Sequence, residues 1–190
     1  MNTKHFSIQP APQELLALLE KSRARTLALA LDLTPEQLLG PKLEIVNPPL
    51  WEIGHVGWFQ EHWCLRWRGD GTLGPSILPN ADQLYDSSNV AHDTRWDLPL
   101  PNLATTRAYL ASVLEKTLEC LAREPEDERP RYFVRLCTLH EDMHAEALHY
   151  THQTLGYPEP EFGVRTAIIY RPDPELIVAL TPNSDRLIIS

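Results

Sequence analysis

The chain has 190 residues, 43% of them hydrophobic and 23% charged, with a formal net charge of −9, which suits a globular domain with its own core. The acidic balance, with no clustered Lys/Arg stripe, argues against nucleic acid as a partner, because neutralising phosphates needs a basic face. No apolar run approaches the ~18 residues of a membrane span, the N-terminal MNTKHFSIQPAPQE lacks an apolar signal core, and Cys64, Cys120 and Cys137 lack framework spacing, so a cytoplasmic protein in a reducing compartment is expected.

Residues 10–31 carry Leu15, Leu16, Leu19, Leu27 and Leu31 at roughly helical spacing, with Pro12 near the start, where a missing N–H costs little. TPEQ at 34–37 is a capping-box pattern opening a short helix that Gly40 and Pro41 stop. Residues 47–67 predict a second long helix, with Asn47 as N-cap and Pro48 at the first helical position. Residues 69–102 open on Gly69, Gly71, Gly74 and Pro75 and read as a long, mostly irregular connection. So long a loop inside a compact domain is more often functional than idle. Helical spacing returns at 103–123, an acidic turn EPEDERP follows, and a last helix runs from about Arg131 to Leu155, where Gly156 and Pro158 end it. The fold expected is therefore all-α: a four-helix bundle over residues 10–156 with a long connection between its second and third helices. The remaining segment, 157–190, holds TAIIY and LIVAL, short β-branched runs that favour strand over helix.

The last helix carries HEDMHAE at 140–146. Stepping about 100° per residue from His140 puts His144 at about 40°, Phe133 at 20°, Leu136 at −40°, Cys137 at 60° and Ala147 at −20°. Both histidines thus share the apolar, inward stripe, where an imidazole is costly unless its nitrogens find partners. A metal ion meets that need, since neutral imidazole is its commonest protein ligand. His149 and His152 project away from the stripe and are assigned to the surface or a rim. The third ligand expected is His55, which shares its helix side with Trp51, Trp58 and Phe59 and is flanked by the thin surfaces of Gly54 and Gly57. His62 lies two turns further, about 10.5 Å of rise, too far to bind the same ion easily, and is expected in the core or hydrogen-bonded behind the ligands. Glu146 is the carboxylate expected on a ligand's outer nitrogen, whereas Glu141 and Asp142 read as a solvated acidic face. Three histidines without a carboxylate ligand leave coordination positions open, as catalysis or substrate binding requires.

NPPLWEIGHVGWFQEHW, LYDSSNVAHDTRWDLPLP and HEDMHAEALHYTHQTLGY, in that order, resemble the N-terminal DinB-like helical domain of the ergothioneine-type sulfoxide synthases, a non-haem iron group that includes the ovothiol and selenoneine synthases. The resemblance covers about residues 10–160 and implies Fe(II) held by His55, His140 and His144. It implies that dioxygen and a thiol donor, cysteine or γ-glutamylcysteine, or a selenium donor, meet there beside trimethylated histidine. A carbon–sulfur or carbon–selenium bond then forms at the imidazole ring. That family places basic residues for the donor's carboxylate in the middle loop, which points here to Arg95 and, more weakly, His92; a guanidinium grips a carboxylate bidentately. Trp58, one of four tryptophans between 51 and 67, is placed to wall a trimethylammonium by cation–π contact. The family's proton-donating tyrosine belongs to a second domain, so none is expected among these residues, and a second chain supplying that domain is a candidate partner.

Two other readings share these residues. DinB-like thiol-dependent transferases also carry three histidines, usually with zinc or another divalent ion, and activate a bound thiol without oxygen. A non-enzymatic metal-binding or interaction module is the third. Imidazole suits iron, zinc, nickel and copper alike, so the ligand set does not name the metal.

Overall fold

The computed structural model describes residues 10–160; the strand-like runs expected in the tail lie outside them. Helix α1 spans Pro12–Ala28, with Pro12 in its first turn as its sequence implies. Helix α2, Pro35–Leu39, is opened by the full capping box: Thr34 accepts from the Gln37 amide and the Gln37 side chain accepts from the Thr34 amide. Helix α3 spans Pro49–Gln60 and passes into a π-helical turn, Glu61–Arg66. Helix α4 is the short Ala81–Tyr85, α5 is Leu103–Arg123 and α6 is Glu128–Leu155. The four long helices form the expected all-α bundle: α6 packs against α1 and α3, and α3 against α5.

Three details depart from the sequence reading. Pro48, not Asn47, occupies the N-cap of α3, and the Asn47 side chain is taken by Arg95 Nη1 at 2.6 Å. Helix α6 begins at Glu128 rather than near Arg131, because Asp127 caps it through the Arg129 amide and Pro130 falls in the first turn, where no N–H is needed. The 69–102 connection is less irregular than expected, holding α4 and a 3₁₀ turn at His92–Thr94.

The connection is fastened along its length. Arg66 reaches the Asp82 carboxylate with both terminal nitrogens, at 2.7 and 2.8 Å, and the Gly74 carbonyl with Nε at 3.0 Å. Glu61, fully buried, accepts from the Ser76 hydroxyl at 2.8 Å, the Ile77 amide at 2.5 Å and the Tyr109 hydroxyl at 2.6 Å. Trp51 and Trp58 donate their indole N–H to the Leu84 carbonyl and to Asp82, each at 2.7 Å. Together with Ala81, Leu84 and Tyr85 these two rings form an apolar cluster that seats the connection on α3. The main core, around Ile53, Leu110, Val113, Ala145 and Leu148, lies where α3, α5 and α6 meet.

A buried polar network crosses that core. Arg23 on α1 donates to Glu141 on α6 through Nε at 2.7 Å and Nη2 at 3.0 Å, to the Leu110 carbonyl at 2.8 Å and to Gln60 at 2.6 Å. Gln60 in turn donates to Thr117 at 2.9 Å. Glu141 is 1% exposed, so it is not on a solvated face; it faces α1, where the guanidinium satisfies both carboxylate oxygens. His152 also departs from its surface assignment. It is buried between the Leu29 carbonyl at the end of α1, 2.8 Å away, and the Pro158 carbonyl at 3.1 Å, because the last turn of α1 leaves carbonyls needing a polar partner. Tyr157, just beyond α6, packs against the main core, and its hydroxyl reaches the Gln37 carbonyl at 3.2 Å.

Candidate metal centre

His55 on α3 and His140 and His144 on α6 converge, with one nitrogen from each lying within 4.8 Å of the others. Ring centroids are 5.1 Å apart for His55 and His140, 4.8 Å for His55 and His144, and 4.5 Å for His140 and His144. The i, i+4 spacing on α6 stacks two imidazoles on one face, and the close packing of α3 on α6 delivers the third. Glycines permit the approach of neighbouring elements to α3. A Cβ on Gly54 would lie 2.2 Å from the Tyr85 ring, and one on Gly57 would lie 2.7 Å from Leu110 Cδ1.

Hydrogen bonds at the outer nitrogens fix the tautomers of His55 and His144. His55 Nδ1 lies 2.8 Å from the Tyr85 carbonyl, which can only accept, so Nδ1 carries the hydrogen and Nε2 keeps its lone pair. His144 Nδ1 is 2.8 Å from Glu52 Oε1, which does the same for that ring. His144 Nε2 then faces His140 Nε2 at 3.2 Å, while His140 Nδ1 is buried without a hydrogen-bond partner. Burial, followed by the charge of a protonated His144, lowers His55 to about 4 and His140 to about 2. Both rings are therefore neutral near pH 7, the form that ligates. Phe59 stacks on His140 at 3.6 Å between centroids, and Trp51 stacks on His55 at 4.9 Å, so flat apolar walls hold both rings in place. Orphaned nitrogen, oriented lone pairs and neutral rings fit a divalent cation.

The other expected site residues occupy varied places. Glu146 is exposed, pointing away from the bundle, and is replaced in its expected role by Glu52, 1% exposed, whose second oxygen has no hydrogen-bond partner. The signal for Glu52 was available: it is the single acid in PPLWEIGHVGWF, one turn before His55 on the same helix. His62 sits in the π turn, half-buried between Trp58 and Trp63 at 5.2 and 4.9 Å, with Nδ1 buried and unpartnered. Burial and then Arg66 lower its pKa. Trp58 lies 5.8 Å from the His55 ring, with its N–H committed to Asp82. Arg95 stands 3.8 Å above Trp51, on the ring that also stacks on His55, and donates to Asn47 and to the Val90 carbonyl. Its Nε is buried and unpartnered. His92 donates from Nε2 to the Val46 carbonyl at 2.8 Å and meets Trp96 edge-on, tying the connection to the segment before α3.

A helical bundle with three inward imidazoles on two facing helices is the class of protein defined by fold and site. The DinB superfamily profile matches residues 18–148, and the chain belongs to that superfamily. Among curated proteins it is similar to the hercynine oxygenase of Mycobacterium tuberculosis, 34% identical over 139 residues, which are 73% of this chain and 32% of that protein. The hercynine oxygenase of Mycolicibacterium smegmatis is 32% identical over 138 residues, 73% of this chain and 32% of that protein. For that of Mycolicibacterium thermoresistibile the figures are 32% over 160 residues, 84% and 35%. The chain thus spans about a third of the length of these relatives. Among the described residues no helix is long and apolar enough to cross a membrane.

Proposed function

We propose that this chain is the metal-binding helical part of a non-haem Fe(II), O2-dependent enzyme that acts on trimethylated histidine and joins a thiol or selenium donor to its imidazole ring. The observation that carries the reading is the convergence of His55, His140 and His144 with outer nitrogens anchored by Tyr85 and Glu52. The names of the relatives support the substrate, since hercynine is trimethylated histidine. Bound iron would supply oxygen activation and a common template for both substrates. The chain's own residues do the rest. His55 and His140 present neutral imidazoles, and His144 adds a third nitrogen, from fixed directions. Glu52 holds His144 in its tautomer, and its negative charge makes that imidazole a better donor. Phe59, Trp51 and Trp58 keep water from the backs of the rings. Arg95, one ring removed from His55, is the group assigned to the donor's carboxylate, its buried Nε lacking a hydrogen-bond partner.

The test is metal content after anaerobic reconstitution with Fe(II), for the chain and its His55→Ala variant, with circular dichroism on both. The expected result is one tightly held ion per chain, lost in a variant that keeps its helical signal. Oxygen uptake is then measured with a thiol alone and with thiol plus trimethylated histidine, before and after adding candidate second-domain chains. Uptake that depends on trimethylated histidine supports the oxygenase. Thiol transfer without oxygen uptake, best with zinc, identifies the transferase reading, and absence of bound metal in the unaltered chain overturns both.

A further inference from the structure

Two of the cysteines take no part in the three-histidine site, yet the fold brings them together. Cys64 lies in the π turn and Cys137 on α6, and their Sγ atoms are 3.6 Å apart across a sequence separation of 73 residues. Cys137 is 2% exposed, with its sulfur 4.0 Å from the Phe59 carbonyl, while Cys64 is half-buried. The pair spans the seam between the α3 π turn and α6. On that seam Phe59 stacks on His140, and Cys137 precedes His140 by one helical turn.

We propose that Cys64 and Cys137 are a dithiol that a hydroperoxide converts to an intramolecular disulfide, a modification site that staples the π turn to α6 beside His140. The sulfurs need to close from 3.6 Å to about 2.05 Å, a movement of side-chain scale. Cys64 meets the oxidant first, because it is the more exposed sulfur and because burial, then its neighbour Cys64, pushes the Cys137 thiol up. The Cys64 thiolate attacks one oxygen of hydrogen peroxide, the O–O bond breaks, and the departing hydroxide takes a proton to leave as water, giving a sulfenic acid. The Cys137 sulfur then attacks the Cys64 sulfur; the S–O bond breaks, and a second water leaves with the Cys137 proton. The two sulfurs lose two electrons in all, and the peroxide accepts them. Cys120 on α5, half-buried and close enough to Cys64 for their charges to interact, is the competing partner.

The experiment titrates the full chain with hydrogen peroxide in the presence of a chelator, then blocks free thiols and maps peptides without reduction. The expected product is about 2 Da lighter, contains a Cys64–Cys137 linked peptide, keeps Cys120 alkylated, and returns to the starting mass with dithiothreitol. Its Tm rises relative to the reduced chain, since a cross-link over a long loop restricts the unfolded state. A Cys120→Ser variant gives the same linkage, which keeps the test valid should Cys137 variants fold poorly. A Cys64–Cys120 link, disulfides only between chains, or over-oxidation of Cys64 without any link would overturn the proposal.

Discussion

Glu52 sits one turn before His55 on α3, and its carboxylate does not face its own helix neighbour but reaches His144 on α6. One oxygen accepts from Nδ1 at 2.8 Å while the other is buried without a hydrogen-bond partner. Glu52→Gln keeps the shape and removes the charge. On the proposed metal reading, affinity for a divalent cation is expected to fall about 10–100-fold, the usual cost of altering a group behind a ligating imidazole, with the helical signal unchanged. Competition against a chelator of known affinity measures it, and an unaltered Kd would remove Glu52 from the site. Glu146 on the HEDMHAE motif stays exposed because the helix facing the imidazoles carries its own acid, Glu52.

At the scale of elements, α3 works because two of its positions lack a side chain. A Cβ at Gly54 would lie 2.2 Å from Tyr85 Cε1 and 2.6 Å from its hydroxyl, and Tyr85 is wholly buried. Gly54→Ala therefore forces α4 off α3, and with it the Tyr85 carbonyl that anchors His55. The expected loss is about 1–3 kcal/mol of stability, as for other overpacked sites, together with weaker metal binding. Gly57→Ala meets the end of the Leu110 side chain at 2.7 Å, a contact that a rotamer change relieves, so its urea midpoint is expected nearer that of the unaltered chain. Equal midpoints for the two variants would count against the Tyr85 argument. The π turn that ends α3 is the element sequence periodicity did not reveal, because π and α turns differ by a single hydrogen-bond step and share composition. It places Glu61 where three donors from α5 and the connection reach one carboxylate.

Across the whole molecule, Arg23 and Glu141 join α1 to α6, with side-chain exposures of 3% and 2%. Such a pair is costly to bury, and breaking it leaves an uncompensated charge. Arg23→Met is expected to destabilise the chain by about 3–5 kcal/mol, and the double variant Arg23→Met, Glu141→Leu to recover most of that. Denaturant melts of both chains and of Glu141→Leu alone supply the cycle, and a double variant no better than Arg23→Met would show that the network does more than neutralise itself. The network also ties α6 to the rest of the bundle beside the site: Glu141, next to His140, is held by Arg23, which reaches the Leu110 carbonyl and Gln60, and Gln60 reaches Thr117.

The four long helices to within a few residues at their ends, the short capped turn at 34–39, and the inward facing of His140, His144 and His55 were legible in the sequence. Each rests on local periodicity, capping chemistry or the cost of burying an imidazole, and those act within a few residues of chain. The partners of those residues were not legible. Glu52 for His144, the Tyr85 carbonyl for His55, Arg23 for Glu141, the Leu29 carbonyl for His152 and Cys64 for Cys137 are pairings across 30 to 123 residues. Nothing in a local pattern specifies which distant group will stand opposite. Only the packing of α1, α3 and α6 against one another decided that, because a buried polar atom must be satisfied by whatever the facing helix supplies.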